Sequence, residues 1–173
     1  GGASASGSVP QTAAVGLQPL SSASGAPAAL AAASAKRAAR RAASGVQAGP
    51  VEHTDGAVGF RLMAPDGTVL AYSGDTTGDD GCIALAERAD CLLIECSGPD
   101  AAPIAKHATP RAVARVAKAA RVRRVVLTHF YPEVYPDRAA AEVAQATGIP
   151  TVAATDRLVV EIATPDPVPG APR

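Results

Sequence analysis

The chain has 173 residues, and its 16 Lys and Arg are balanced by 16 Asp and Glu, so the formal net charge is zero. That length suits one domain of ordinary size, and the neutral balance argues against an electrostatic grip on nucleic acid or on a membrane surface. No apolar run approaches the roughly 18 to 20 residues that a membrane span needs, so no membrane partner is expected. Trp is absent and aromatics are scarce, which leaves Val, Leu, Ile and Ala to build the core. Cys82, Cys91 and Cys96 form no Cys-x-x-Cys pair and read as small buried residues in a reducing compartment. The chain opens on Gly1-Gly2, which a processed product or a truncated reading frame would explain. It shows no basic segment followed by an apolar run, the mark of a secretory signal, so the expected location is cytoplasmic.

Residues 1–49 are dominated by Ala, Ser and Gly, a mix that buries too little apolar surface to offset the entropy of ordering. Residues 1–25 are therefore expected to be disordered. The Ala-rich stretch 28–43, with Lys36, Arg37, Arg40 and Arg41, favours a helix whose basic cluster reads as a solvated face. From Pro50 onward the pattern is that of a compact α/β unit. Ala57 to Met63 reads as a strand, Pro65-Asp66-Gly67 as a tight turn, and Thr68 to Tyr72 as the returning arm of a hairpin. Asp80 is placed to cap a short helix from Gly81 to Arg88. Cys91 to Glu95 is a short apolar run, hence a buried strand. Thr109-Pro110 opens a helix through Arg121, followed by a strand from Val122 to Thr128. Arg138 to Thr147 forms another helix, stopped by Gly148 and Pro150. Val152 to Ala154 and Leu158 to Ile162 are expected to close the domain as short strands, and the Pro-rich residues 164–173 form a loose tail. Strands alternating with helices imply a layered α/β domain.

Two of these strands end abruptly in a metal-ligand type of residue. Gly74 lets the chain turn tightly after Tyr72 and presents Asp75 at a strand end, where α/β folds put their chemistry. The run Val125 to Leu127 delivers His129 in the same way, although either residue can instead serve as a plain turn or hydrogen-bond cap. His107 precedes the Thr109 cap, so it sits near a helix N-terminus that suits an anion and can donate a proton there, or else decorates the surface. Glu95 ends a strand and can orient a catalytic histidine. His53 reads as loop decoration. Gly74 to Gly78 looks phosphate-friendly, but without Gly-Lys-Ser/Thr it is not a nucleotide P-loop.

In order, the chain carries His53-Thr54, Gly59-Phe60-Arg61-Leu62, Tyr72-Ser73-Gly74-Asp75-Thr76, Leu92-Leu93-Ile94-Glu95-Cys96, Lys106-His107-Ala108-Thr109-Pro110 and Val126-Leu127-Thr128-His129-Phe130-Tyr131-Pro132. This order resembles the C-terminal half of the metallo-β-lactamase superfamily, in its ribonuclease Z-like and phosphodiesterase-like branch, over residues 50–163. The resemblance implies half of an αββα sandwich, preceded here by the low-complexity segment. It implies that Asp75 bridges two metal ions, usually zinc with manganese as the alternative, and that His129 binds one of them. It further implies that His107 donates a proton or binds phosphate and that Glu95 supports it. Such a pair of cations lowers the pKa of a bridging water for attack on a phosphodiester or another ester.

The family's N-terminal half supplies a His-x-His-x-Asp-His motif and a further histidine. This chain carries no such motif, and residues 1–52 hold no histidine. Asp75 and His129 are then the ligands that remain, and one apolar face of the half-sandwich is left for the 28–43 helix to cover. The expected function is a metal-dependent hydrolase, incomplete and weakly active or inactive as this chain. Its complete form would act on a small-molecule or phosphodiester substrate, with nucleic acid and homo-oligomers open through the resemblance alone. The alternative is a non-catalytic remnant that packs through its exposed half-sheet.

Overall fold

The computed structural model describes residues 45–162. The helix expected at 28–43, the disorder expected for 1–25 and the tail from 164 lie outside the described residues. Six strands form one sheet in sequential order: β1 (Gly45–Pro50), β2 (Val58–Met63), β3 (Val69–Tyr72), β4 (Cys91–Glu95), β5 (Val125–Thr128) and β6 (Thr151–Ala153). β1, β2 and β3 pair antiparallel, whereas β3 to β6 pair parallel. Three helices supply the parallel crossovers: α1 (Asp80–Ala86), α2 (Pro110–Ala120) and α3 (Pro136–Thr147).

The helices pack on one face of the sheet. Val69, Ala71, Leu92, Ile94, Val125 and Leu127 point into that layer, where Leu85, Val113, Val116, Ala117 and Val143 meet them. Burying each larger aliphatic contributes roughly 1.5–3 kcal/mol, so these small, branched residues suffice without Trp. Strand alternation sends Val46, Val58, Leu62, Tyr72 and Val152 to the opposite face, where they stay exposed.

α2 begins as its sequence requires: the Thr109 side chain accepts from Ala112 N and Pro110 occupies the first turn. α1 starts one residue earlier than expected, because Asp79 rather than Asp80 accepts from Cys82 N at 2.7 Å. Two further expectations are corrected. Gly45–Pro50, its first five residues read as part of the Ala/Ser/Gly segment, is a ladder strand registered against Val58–Met63. Its small residues suit the site, since a Cβ at Gly49 or Gly59 would crowd the Leu85 side chain. Leu158 to Ile162 forms no strand. Leu158 N bonds Thr155 O in a turn, and the adjacent Leu158 and Val159 are both exposed, so this apolar pair serves no buried face.

Candidate active site

Because β1 and β3 run the same way, the ends of β1, β3, β4 and β5 lie at one edge, with that of β6 beyond them. The residues that follow those four ends are His53, Asp75, Ser97 and His129, and Glu95 closes β4 itself. Gly74 makes the turn after β3. Its φ is +59° and a Cβ there would lie 2.8 Å from Val58 O, so only glycine passes without strain. His129 also takes a left-handed conformation, φ +55°, which turns its ring back over the edge.

Glu95 is the keystone. Its side chain is 1% exposed. Oε1 accepts from Thr76 N at 2.6 Å, and Oε2 accepts from Ala108 N at 3.3 Å and from the Ser97 hydroxyl. His107 Nδ1 lies 3.0 Å from both oxygens. A buried carboxylate needs such donors, and here the main chain beside Asp75 and the main chain beside His107 both supply them. Glu95 thus locks the two loops together. It also settles the His107 tautomer: Nδ1 donates, so Nε2 accepts from the Tyr131 hydroxyl at 3.3 Å.

Asp75 stands between two imidazoles. Its Oδ2 lies 3.8 Å from His53 Nε2 and its Oδ1 lies 3.7 Å from His129 Nδ1. Among ligand-type side chains, Asp75, Glu95 and His129 gather donor atoms within 4.8 Å, as do His53, Glu95 and His107. Glu95 and His107 are spent on each other and on their hydrogen bonds, whereas Asp75 is 43% exposed and faces the imidazoles without bonding them. Two ligands about 2.1 Å from a tetrahedral ion lie roughly 3.4 Å apart, close to the spacing of His53 and Asp75. Nitrogen and carboxylate donors of this kind fit divalent ions, with Asp75 as the candidate ligand shared between His53 on one side and His129 on the other.

Asp75, His129, Glu95 and His107, each nominated from sequence, therefore share one cluster. His53 joins them and was missed. Its loop is pinned: Glu52 N donates to Asp79, Thr77 N donates to Glu52 O at 2.9 Å, and His53 Nδ1 donates to Lys106 O at 2.9 Å. That last bond leaves Nε2 free to face Asp75. β1 makes His53 a strand-end residue like Asp75, but the weak alternation Val46, Ala48, Pro50 does not mark that strand in the sequence. Ser97 was missed too, and nothing in its Cys-Ser-Gly context marks it. The α2 N-terminus is not an open anion site. Arg111 N donates to Asp100 and Ala112 N to Thr109, while Pro110 has no N–H.

Cys82 and Cys96 sit in the hydrophobic core, although Cys96 stands between Glu95 and Ser97 in the chain. All three cysteines are buried free thiols, and burial pushes Cys82 and Cys96 up to about 12.

Over residues 7–130 the sequence matches the family described as a beta-lactamase superfamily domain, a span that begins inside the low-complexity segment. It is similar to the ribonuclease Z of Methanothermobacter thermautotrophicus, at 32% identity over 124 residues, 65% of this chain. The chain spans only 40% of that relative's length. Its structure is similar to human tRNase Z, short form, with a TM-score of 0.53 and 28% identity, covering 69% of this chain and 43% of that one. In fold alone it is similar to the metallo-beta-lactamase fold protein YhfI of Bacillus subtilis, with a TM-score of 0.56 and 22% identity, covering 63% and 46% of the two chains. With this site at the carboxyl edge of this sheet, the chain belongs to the metallo-beta-lactamase superfamily, with ribonuclease Z among the proteins it is similar to.

Proposed function

We propose that this chain carries the C-terminal half of a divalent-metal hydrolase that cleaves phosphodiesters, with RNA as its substrate class. One observation carries the reading: Asp75 stands between the His53 and His129 rings, 3.8 Å from His53 Nε2, beside the buried Glu95–His107 pair. His53, Asp75 and His129 would hold the metal, and an imidazole and carboxylate set favours zinc, with manganese as the alternative. When bound, the metal supplies an activated water and neutralises charge that develops at phosphorus.

This chain's residues do the remaining work. Glu95 holds His107 by Nδ1 and directs Nε2 outward, so a proton carried there can pass to the departing oxygen. Tyr131, with its ring 5.1 Å from that of His107, limits the swing of the imidazole. RNA is proposed because the similar proteins are a ribonuclease Z and a tRNase Z. The ligands of a His-x-His-x-Asp-His motif are not in this sequence, so the 173-residue chain alone should turn over weakly or not at all.

The test is a zinc titration of this chain followed by NMR of its histidine rings. Weak binding that moves His53 and His129, and is lost in Asp75→Ala, is expected. A structure-preserving Asp75→Ala chain that binds zinc equally well would sink the reading. A second reading, an interaction module, is favoured by the exposed Val46, Leu62, Tyr72 and Val152 on the open face. It requires no zinc response at all.

A further inference from the structure

Ser97 is fully buried just beyond β4, yet its hydroxyl meets three polar partners. Oγ contacts Glu95 Oε2, lies 2.7 Å from His129 O, and lies 2.9 Å from His129 Nδ1. A hydroxyl has one proton to give and two lone pairs to offer. If that proton pointed at Nδ1, Oγ would face two oxygen acceptors lone pair to lone pair, out of reach of water. Turning the proton towards one of them forms a bond there and removes one of the two lone-pair contacts. The hydroxyl proton therefore belongs to the oxygen side, with the charge-assisted bond to Glu95 the stronger choice. His129 Nδ1 must then be the donor, bonding Oγ.

We propose that Ser97 is a positioning residue that fixes His129 in its Nδ1–H form and reserves Nε2 as the atom that would meet the metal. A ring nitrogen has one in-plane lobe, and at Nδ1 that lobe is spent on Ser97. The surroundings agree: the charged groups that face the same Nδ1 are Asp75 Oδ1 at 3.7 Å and Glu95 Oε2 at 4.0 Å, both acceptors. His53 and His107 follow the same rule, with Nδ1 donating to Lys106 O and to Glu95. Ser97 goes further than its counterparts, because it joins two functions. The chain His129 Nδ1–H to Ser97 Oγ–H to Glu95, with His107 Nδ1–H on the same carboxylate, couples a candidate ligand to the candidate proton donor. Only the last step, from Nε2 to metal, rests on the hydrolase reading above.

The test needs no metal. Long-range ¹H–¹⁵N spectra of the 173-residue protein, recorded as a pH series into the alkaline range, report the tautomer of each of the three histidines. His129 is expected to show the Nδ1–H pattern in the wild type and in Ser97→Thr, which keeps the hydroxyl. In Ser97→Ala it should move towards Nε2–H. An Nε2–H pattern in the wild type, or an unchanged pattern in a folded Ser97→Ala, overturns the assignment. The wild-type spectrum decides by itself if Ser97→Ala does not fold. Zinc affinity should fall by about 10- to 100-fold in Ser97→Ala and recover in Ser97→Thr. A wild type with the Nδ1–H pattern but no zinc response would sink the metal reading and leave the tautomer assignment standing.

Discussion

Replacing Glu95 by Gln changes one oxygen to an NH2 group and leaves the side-chain volume almost untouched, so no cavity confuses the result. Oε1 accepts from Thr76 N at 2.6 Å, and Oε2 accepts from Ala108 N and the Ser97 hydroxyl. Whichever way the amide is turned, its NH2 confronts at least one main-chain donor in a buried place. One orphaned donor costs about 1–3 kcal/mol, and the surviving bonds lose their charge assistance. A total near 3 kcal/mol is expected, a large share of the roughly 5–15 kcal/mol that holds a domain together. With a urea m-value of about 2 kcal/mol/M, the unfolding midpoint should fall by about 1.5 M. Circular dichroism during urea titration reads this directly. Glu142→Gln serves as the control, since its i,i+4 pair with Arg138 is exposed and should matter by less than about 0.5 kcal/mol. An unchanged or raised midpoint for Glu95→Gln would refute the reasoning. It would mean that relief from burying a charge outweighs the bonds that the charge makes.

Gly74→Ala should destabilise the fold by roughly 1–3 kcal/mol, through its left-handed φ and the approach to Val58 O, and should weaken zinc binding by displacing Asp75. A thermal melt indistinguishable from wild type would show that this turn relaxes freely. Burial raises the Cys82 and Cys96 thiols to about 12 from their ordinary value of 9.0, so the folded chain holds those protons more tightly than the unfolded one. Stability should therefore be independent of the thiols below pH 9 and fall as pH climbs from 9 towards 12, with alkylation at pH 8 slow until the chain unfolds. Rapid labelling of folded protein would contradict that burial. Joined to an N-terminal half that carries a His-x-His-x-Asp-His motif, the chain should hydrolyse a generic phosphodiester, and Asp75→Ala should abolish the activity. In that protein His107→Ala should keep the metal and slow substrates with poor leaving groups by about 100- to 10,000-fold, with little effect on activated esters. Equal loss on both would remove the proton-donor role.

Much of this site was legible in the chain because its carriers are local. An apolar run that stops at Ser-Gly-Asp or at Thr-His specifies a buried strand and a candidate ligand at its end, whatever the strand pairs with. Thr109-Pro110 specifies a helix start by capping chemistry alone, and the hairpin through Asp66-Gly67 follows from turn preferences. What stayed hidden depends on partners distant in sequence. β1 has too little apolar character to announce itself, and it becomes a strand only because β2 offers a ladder and Gly49, with Gly59 of β2, gives room to Leu85. His53 acquires meaning through that strand, since the antiparallel pairs return its end to the edge where β3 delivers Asp75. Leu158 to Ile162 fails for the converse reason, being apolar in composition but left without a ladder. The tautomers of His53, His107 and His129 were beyond any sequence pattern. They are set by a carbonyl, a carboxylate and a hydroxyl contributed from other loops, and only folding brings those groups within hydrogen-bond reach.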